Sequence, residues 1–391
     1  MKKNILLLCL TITANANLQS FYQKSVKHLN YQETYRLQKE ANQASEQSIT
    51  SNRYANFSID ASQTLTKAQT VSNPFNITDI GVSDTLDLFN KSRYQIELIR
   101  LDTQSKETLL RIQKEKLFIS IVEMIGLYHQ TQEKLELHNS LLNEQELIYN
   151  KLQSLQQSGA ISKLIVVEFK NALTGLESKI IKEQNSIEQM QKQLQLYAPN
   201  ESIPSIENST LTATKEEFVA HNPQATLNNI ASQQVMLQSQ ALKDKYLPDI
   251  TAGVNYQYND DPTAYGNSYG VNISFHIPIG LGDQKEKEAI KVHAMSLKSQ
   301  NETYKIEREQ EFISRYQNYK NATQQLNMLT QNLEEYQNSF DMVKKAFLKK
   351  YIDFNTYIQS LSQLITIEEQ IIDVRYQKNT EAIIVNSISL L

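Results

Sequence analysis

Punctuation is scarce in this chain. Across 391 residues there are nine glycines, seven prolines and no tryptophan. Glycine and proline end helices and strands, so their scarcity predicts few, long elements. Cysteine is limited to Cys9, which excludes a disulfide framework. No charge of one sign prevails: the formal net charge is -4, so the basic footprint of a nucleic-acid binder is missing. No apolar run approaches the ~20 residues of a transmembrane helix, and mean hydropathy is -0.48, which excludes a polytopic helical membrane protein. The six histidines, His28, His129, His138, His221, His276 and His293, show no paired metal-ligand spacing. With no Gly-rich phosphate loop and no nucleophile elbow either, no metal, cofactor or enzymatic activity is expected.

What is present begins at the N-terminus. Lys2 and Lys3, the apolar run Ile5 to Ile12 and the small-residue site Ala14-Asn15-Ala16 read as a secretory signal peptide, residues 1–16. Cleavage after Ala16 takes Lys2, Lys3 and Cys9 with it, which leaves a charge of -6 and a cysteine-free chain suited to the periplasm. Leu8 precedes Cys9 where lipoprotein processing wants a small residue, so an unlipidated start at Asn17 is expected.

The rest reads twice, at a constant offset of 191 residues. Sliding residues 80–165 onto 271–356 brings Val82 onto Ile273, Leu86 onto Ile277, Leu88 onto Ile279, Val122 onto Ile313, Tyr128 onto Tyr319, Leu142 onto Leu333 and Ile161 onto Ile352, without a gap. The expected organisation is a first helix-strand-strand-helix repeat at 17–197, a Pro/Ser/Thr-containing linker across the middle at 198–214, and a second repeat at 215–391. Neither copy can bury its apolar stripe alone.

Residues 91–157 and 282–348 contain no internal proline and predict two helices of about 100 Å at 1.5 Å per residue. Leu135, Leu142, Ile148, Leu152 and Leu155 keep helical spacing among polar residues, which marks a narrow coiled-coil seam. Shorter helices are expected at 17–48, 162–196, 215–245 and 353–377, so that two placed end to end match one long helix. After each long helix comes a tight turn. Gly159 suits a left-handed C-cap and Ser162 an N-cap; Lys350 and Asp353 hold the matching places in the second copy.

Four segments change to period 2. Ile250, Ala252, Val254, Tyr256 and Tyr258 alternate with polar residues and glycine, and Val271, Ile273, Phe275, Ile277 and Ile279 alternate with Asn272, Ser274 and His276. In the first copy Phe57, Ile59 and Ala61, then Ile80, Val82, Leu86 and Leu88, do the same, with Asp84 intruding on the apolar face. Each segment is close to the 9 to 11 residues of a tilted transmembrane strand. A half-buried hairpin on a soluble body would also alternate. Here, however, one side is richly apolar, the other too polar for a dry core, and no segment is left to cover the apolar side. Lipid can cover it, with Ile273, Phe275 and Ile277 as lipid-facing residues. Four strands still leave two open edges, so other copies of the chain must close the sheet.

His221-Asn222-Pro223, Tyr246-Leu247-Pro248, Ile277-Pro278-Ile279-Gly280 and Gly159-Ala160-Ile161-Ser162, in this duplicated order, resemble the TolC-type outer-membrane efflux channel family over essentially the whole mature chain. The resemblance implies an α+β fold: duplicated long antiparallel helical hairpins forming a periplasmic α-barrel, and four transmembrane strands per chain closing as a trimeric 12-stranded β-barrel. It implies an outer-membrane location extending into the periplasm, and passive conduction as the exit channel of a tripartite efflux or type I secretion system. The implied partners are two further copies of the chain, outer-membrane lipid, a periplasmic adaptor docking at the tips Gly159, Ser162, Lys350 and Asp353, and an inner-membrane pump or secretion ATPase. Some members narrow the periplasmic mouth with aspartates just after the second turn. Matched through Lys350, those positions are Thr356 and Gln359 here, with Asp353 the nearest acid, so a candidate gate of Thr356, Gln359 and Asp353 lacks a carboxylate ring. A periplasmic coiled-coil adaptor or structural protein is the rival reading. It would share the long helices but not the duplicated hairpin, and it would carry a glycine-rich sheet domain that is not found.

Overall fold

The computed structural model describes residues 17–53, 55–67, 74–206, 208–260, 266–277 and 283–389. The expected signal peptide and the strand exit at Pro278 to Gly280 lie outside the described residues. In chain order the elements are α1 (17–28), α2 (Tyr31–Asn52), β1 (Phe57–Thr66), β2 (Phe75–Leu86), α3 (Ser92–Gln157) and α4 (Lys163–Tyr197). They continue with α5 (Lys215–Ala220), α6 (Pro223–Asp244), β3 (Asp249–Asn259), β4 (Ser268–His276), α7 (Asp283–Leu348) and α8 (Phe354–Ile388). Helices α3 and α7 have 66 residues each, and α4 and α8 have 35 each. Both ends of α3 and α4 recur 191 residues later as the ends of α7 and α8.

Three helices differ from the expected spans. The first is broken after Leu29, where Asn30 takes the left-handed conformation (φ 56°) that asparagine tolerates better than most residues. The helix expected at 215–245 is split at His221–Asn222. Pro223 disfavours helical backbone at the residue before it and opens α6 as its first residue. Six-residue α5 is started by a capping box: Thr214 Oγ1 accepts from the Glu217 N–H (3.2 Å), and the Glu217 carboxylate accepts from the Thr214 N–H (2.8 Å). Helix α8 runs on to Ile388, well past Gln377, because its last turns supply Ile383, Ile384, Val385 and Ile388 to a buried core.

The chain divides into two compact units, each assembled from both halves of the sequence. One comprises the described residues through Tyr31, Ile112–Asn222 and those from Lys305 onward. It contains two apolar clusters. In the first, Phe21 and Tyr22 of α1 meet Ile121, Val122 and Ile125 of α3, Leu194 of α4, Phe218 of α5 and the end of α8. Gly126 is required here, since a Cβ would stand 2.6 Å from Thr380 Oγ1 of α8. The segment between α4 and α5 is fastened to this core. Asn386 Oδ1 accepts from the N–H groups of Thr212 (2.9 Å) and Ala213 (3.0 Å), and its Nδ2 donates to the Thr210 carbonyl (2.8 Å). The second cluster joins Leu141, Ile148 and Leu152 of α3, Phe169, Leu173 and Leu176 of α4, Phe340 and Phe347 of α7, and Tyr357, Leu361 and Leu364 of α8. Burying each such side chain contributes about 1.5–3 kcal/mol, so one helical seam from each of four helices suffices to hold the layer.

The other unit, Gln32–Arg111 with Pro223–Tyr304, holds the sheet. Its order is β1-β2-β3-β4 and every neighbouring pair is antiparallel. The register lines up Ile59, Val82, Val254 and Val271 in one cross-strand row and Ala61, Ile80, Tyr256 and Tyr269 in the next. The alternate rows carry Ser58, Ser83, Gly253 and Asn272, then Asp60, Gly81, Asn255 and Gly270. Asp84 does fall in an apolar row, with Phe57, Ala252 and Ile273. Its carboxylate accepts from the Asn56 N–H (2.8 Å), just before β1, which satisfies a donor at the end of the sheet.

Candidate functional site

On the sheet the usual relation of polarity to exposure is reversed. On the two central strands Ile80, Val82, Val254, Tyr256 and Tyr258 are exposed, whereas the alternating Asp79, Gly81, Ser83, Gly253, Asn255 and Gln257 are half-buried. Phe57, Ile59 and Leu65 of β1 and Tyr269, Val271, Ile273 and Phe275 of β4 extend the exposed apolar face. Ile277 is also exposed but lies one residue beyond β4, and Leu88 lies beyond β2. The polar face is tied by its own hydrogen bonds: Ser58 Oγ to Ser83 Oγ (2.7 Å), Asn255 Nδ2 to the Asp79 carboxylate (3.1 Å) and Ser268 Oγ to Gln257 Oε1 (3.2 Å). It is crowded as well, for a Cβ on Gly253 would stand 2.6 Å from Asn272 Oδ1.

The two turns that follow the long helices are brought together. Gly159 (φ 73°) donates to the Gln156 carbonyl (2.9 Å) and Ala160 to that of Leu155 (2.8 Å); Lys350 (φ 64°) donates to Phe347 (2.9 Å) and Tyr351 to Ala346 (2.9 Å). Both are the paired bonds of a Schellman motif, which satisfies carbonyls left over at the helix end. Lys350 Nζ then donates to the Ala160 carbonyl (3.0 Å), joining one turn to the other. Each following helix is N-capped. Ser162 Oγ accepts from the Ile165 N–H at 3.4 Å, and Asp353 Oδ1 from the Thr356 N–H at 2.7 Å. These hydrogen bonds from Thr356 hold the Asp353 carboxyl below the usual carboxylate range.

Thr356 and Gln359 are exposed on the first turns of α8, while Tyr357 between them is fully buried. Sequence reasoning missed the role of Tyr357. Its ring stacks on Phe347 (centroids 4.6 Å) and Phe169 (6.1 Å) and meets Phe340 (5.7 Å), and its hydroxyl donates to Gln145 Oε1 of α3. The spacing of Tyr357, Leu361 and Leu364 along α8 was the available signal. His138 was missed too: it is buried between Glu183 of α4 and Glu369 of α8. Among the described residues no cluster of three or more His, Cys, Asp or Glu is arranged to hold a metal ion.

No protein-family model and no curated protein sequence matches this chain. Solved structures do. The outer-membrane channel OprN aligns with TM-score 0.81 and 14% identity over 96% of this chain and 90% of its own. The outer membrane protein VceC of Vibrio cholerae aligns with TM-score 0.78 and 12% identity over 96% of both chains. The open state of the Neisseria gonorrhoeae MtrE outer membrane channel aligns with TM-score 0.74 and 12% identity over 95% of this chain and 88% of its own. At such identities the likeness is one of architecture, and the chain has the fold of these outer-membrane channels.

Proposed function

We propose that this protein is the exit channel of a tripartite efflux or type I secretion system, seated in the bacterial outer membrane and reaching into the periplasm. The observation that carries the reading is the reversed sheet. An apolar face exposed across all four strands, with the polar alternates of the two central strands half-buried, is costly in water and matches a strand sheet with lipid outside and water inside. Among the described residues β1 and β4 each lack a partner on one side. Unpaired edges are excluded from a bilayer, so other copies would close the sheet, and the likeness to the channel family suggests three copies and twelve strands. The repeats 17–197 and 215–391, joined by 198–214, would then supply the hairpins of a helical tunnel, with residues 1–16 removed on export.

In this reading Ile273, Phe275 and Ile277 meet lipid. The paired turns at Gly159, Ser162, Lys350 and Asp353 are the docking tips for a periplasmic adaptor, and an inner-membrane pump or secretion ATPase supplies the energy. The exposed pair Thr356 and Gln359 lies one to two turns beyond the joined turns, with Asp353 committed to its cap. Closure there would rest on packing and hydrogen bonds between copies rather than on repelling carboxylates. The test is direct. The purified chain should require detergent, run as a trimer on an unheated gel and conduct ions in a planar bilayer. A chain that stays monomeric and soluble without detergent overturns the reading in favour of a periplasmic adaptor or structural protein.

A further inference from the structure

His138 lies on α3 with its side chain 1% exposed. A Glu183 carboxylate oxygen from α4 stands 2.9 Å from Nδ1, and Glu369 Oε1 from α8 stands 2.8 Å from Nε2. A neutral imidazole has one N–H and one lone pair, so it could serve only one of these carboxylates and would turn its lone pair on the other. The arrangement fits an imidazolium donating on both sides. The surrounding charges complete it. Lys179 of α4 donates to the same Glu369 oxygen (3.0 Å). One turn away, Lys134 of α3 pairs with Asp373 of α8 (2.6 Å). Helix α7 reaches this part of α8 through Gln337, which donates to Glu368 (3.0 Å).

We propose that His138 is a proton-dependent clasp that fastens α8 to α3 and α4 and releases it when the medium turns alkaline. One side chain bridges all three helices, and charge-assisted bonds of this kind are about twice as strong as neutral ones. Once the proton is lost, a buried lone pair faces a half-buried carboxylate and the contact turns repulsive.

The direction of the pKa shifts agrees with the geometry. Burial opposes charge on His138, but the hydrogen bonds to Glu369 and Glu183 outweigh it and hold the imidazole above its ordinary value. The hydrogen bond from His138, with help from Lys179, draws Glu369 down to about 2. A raised histidine contributes stability that is fully present below its unfolded pKa and is lost as pH rises through the folded one. The clasp is therefore closed below the ordinary imidazole range, and it opens as pH rises above that range. Release would loosen the middle of the helix that carries Thr356 and Gln359, and an effect on the mouth rests on the channel reading.

The test is hydrogen–deuterium exchange of the full detergent-solubilised protein, expressed as protection factors at a series of pH values from the carboxylate to the lysine range. In the wild type, protection in residues 131–145, 176–190 and 362–376 should fall together, about tenfold or more, through one transition above the ordinary imidazole range. His138→Gln and His138→Arg should both lack the transition. A wild type without it, or a variant that retains it unchanged, overturns the clasp, and the wild-type measurement decides even if a variant fails to fold. Planar-bilayer current that rises with the same midpoint ties release to the mouth. A conducting pore indifferent to pH while the exchange step is present overturns that tie, whereas a protein that never conducts defeats the channel reading and leaves the exchange result standing.

Discussion

Tyr357 and Tyr269 are the same residue type under opposite conditions: the first is 0% exposed and the second 89%. Around Tyr357, apolar residues from four helices face one another, and the buried Gln145 is held by the tyrosine hydroxyl. On the two central strands of the sheet the apolar residues are outermost and most of the alternating polar ones are half-buried. Opposite arrangements in one molecule point to two solvents. In the proposed channel the helical layer meets water and the sheet meets an apolar medium on one side.

The largest effect concerns α8, which carries both an inward and an outward face within four residues. If its outward face meets other copies, cysteines placed separately at Thr356 and Gln359 should crosslink between protomers at one position or both, and oxidation should abolish transport. Failure of both to crosslink, with free reaction toward bulky thiol reagents, would move the constriction elsewhere.

The inward face is tested by Tyr357→Ala, which removes the centre of the aromatic cluster and should cost about 3–5 kcal/mol, read by thermal unfolding in detergent. Tyr357→Phe should cost about 1 kcal/mol, since it leaves Gln145 Oε1 without its donor. Equal effects of the two would mean that the layer relaxes around the lost ring.

The sheet gives the counterpart. Phe275→Arg places a charge on the apolar face and should impair trimer assembly by about 2–4 kcal/mol if the site is near the midplane, while Ser274→Arg, one residue away on the polar face, should be tolerated. Trimer yields on unheated gels compare them. Equal yields would remove the distinction between the faces and return the sheet to water.

Much of this contrast was legible in sequence because it depends on period. Alternation at 250–258 and 271–277 and helical spacing along α3 and α7 mark which residues share a face, and Gly159, Ser162 and Asp353 announce their caps locally. What period cannot convey is which faces meet. His138 contacts residues 45 and 231 positions away, and Gly126 is explained only by the approach of Thr380. The break at Asn30 escaped because a left-handed asparagine inside an otherwise helical run leaves no pattern. The length of α8 was misjudged because the polar run Lys378 to Glu381 follows the expected end and the apolar run Ala382 to Val385 after it has no helical spacing, which breaks the amphipathic signal on which a helix end is judged.

The smallest effect compares the two turns themselves. Both Gly159 and Lys350 hold left-handed backbone, yet only one is glycine. A Cβ at Gly159 would meet nothing within 4 Å, so Gly159→Ala should lose only the conformational term, about 1 kcal/mol. Lys350 already carries that cost and offsets part of it through the bond from Nζ to the Ala160 carbonyl. Lys350→Ala removes the bond and keeps the strain; Lys350→Gly removes both. The glycine variant should therefore unfold at the higher temperature, by the equivalent of about 1 kcal/mol over alanine, and lie close to the wild type. If alanine and glycine are equivalent at position 350 while they differ at 159, the second turn does not keep its left-handed residue in solution. The two tips could not then be treated as copies of one device.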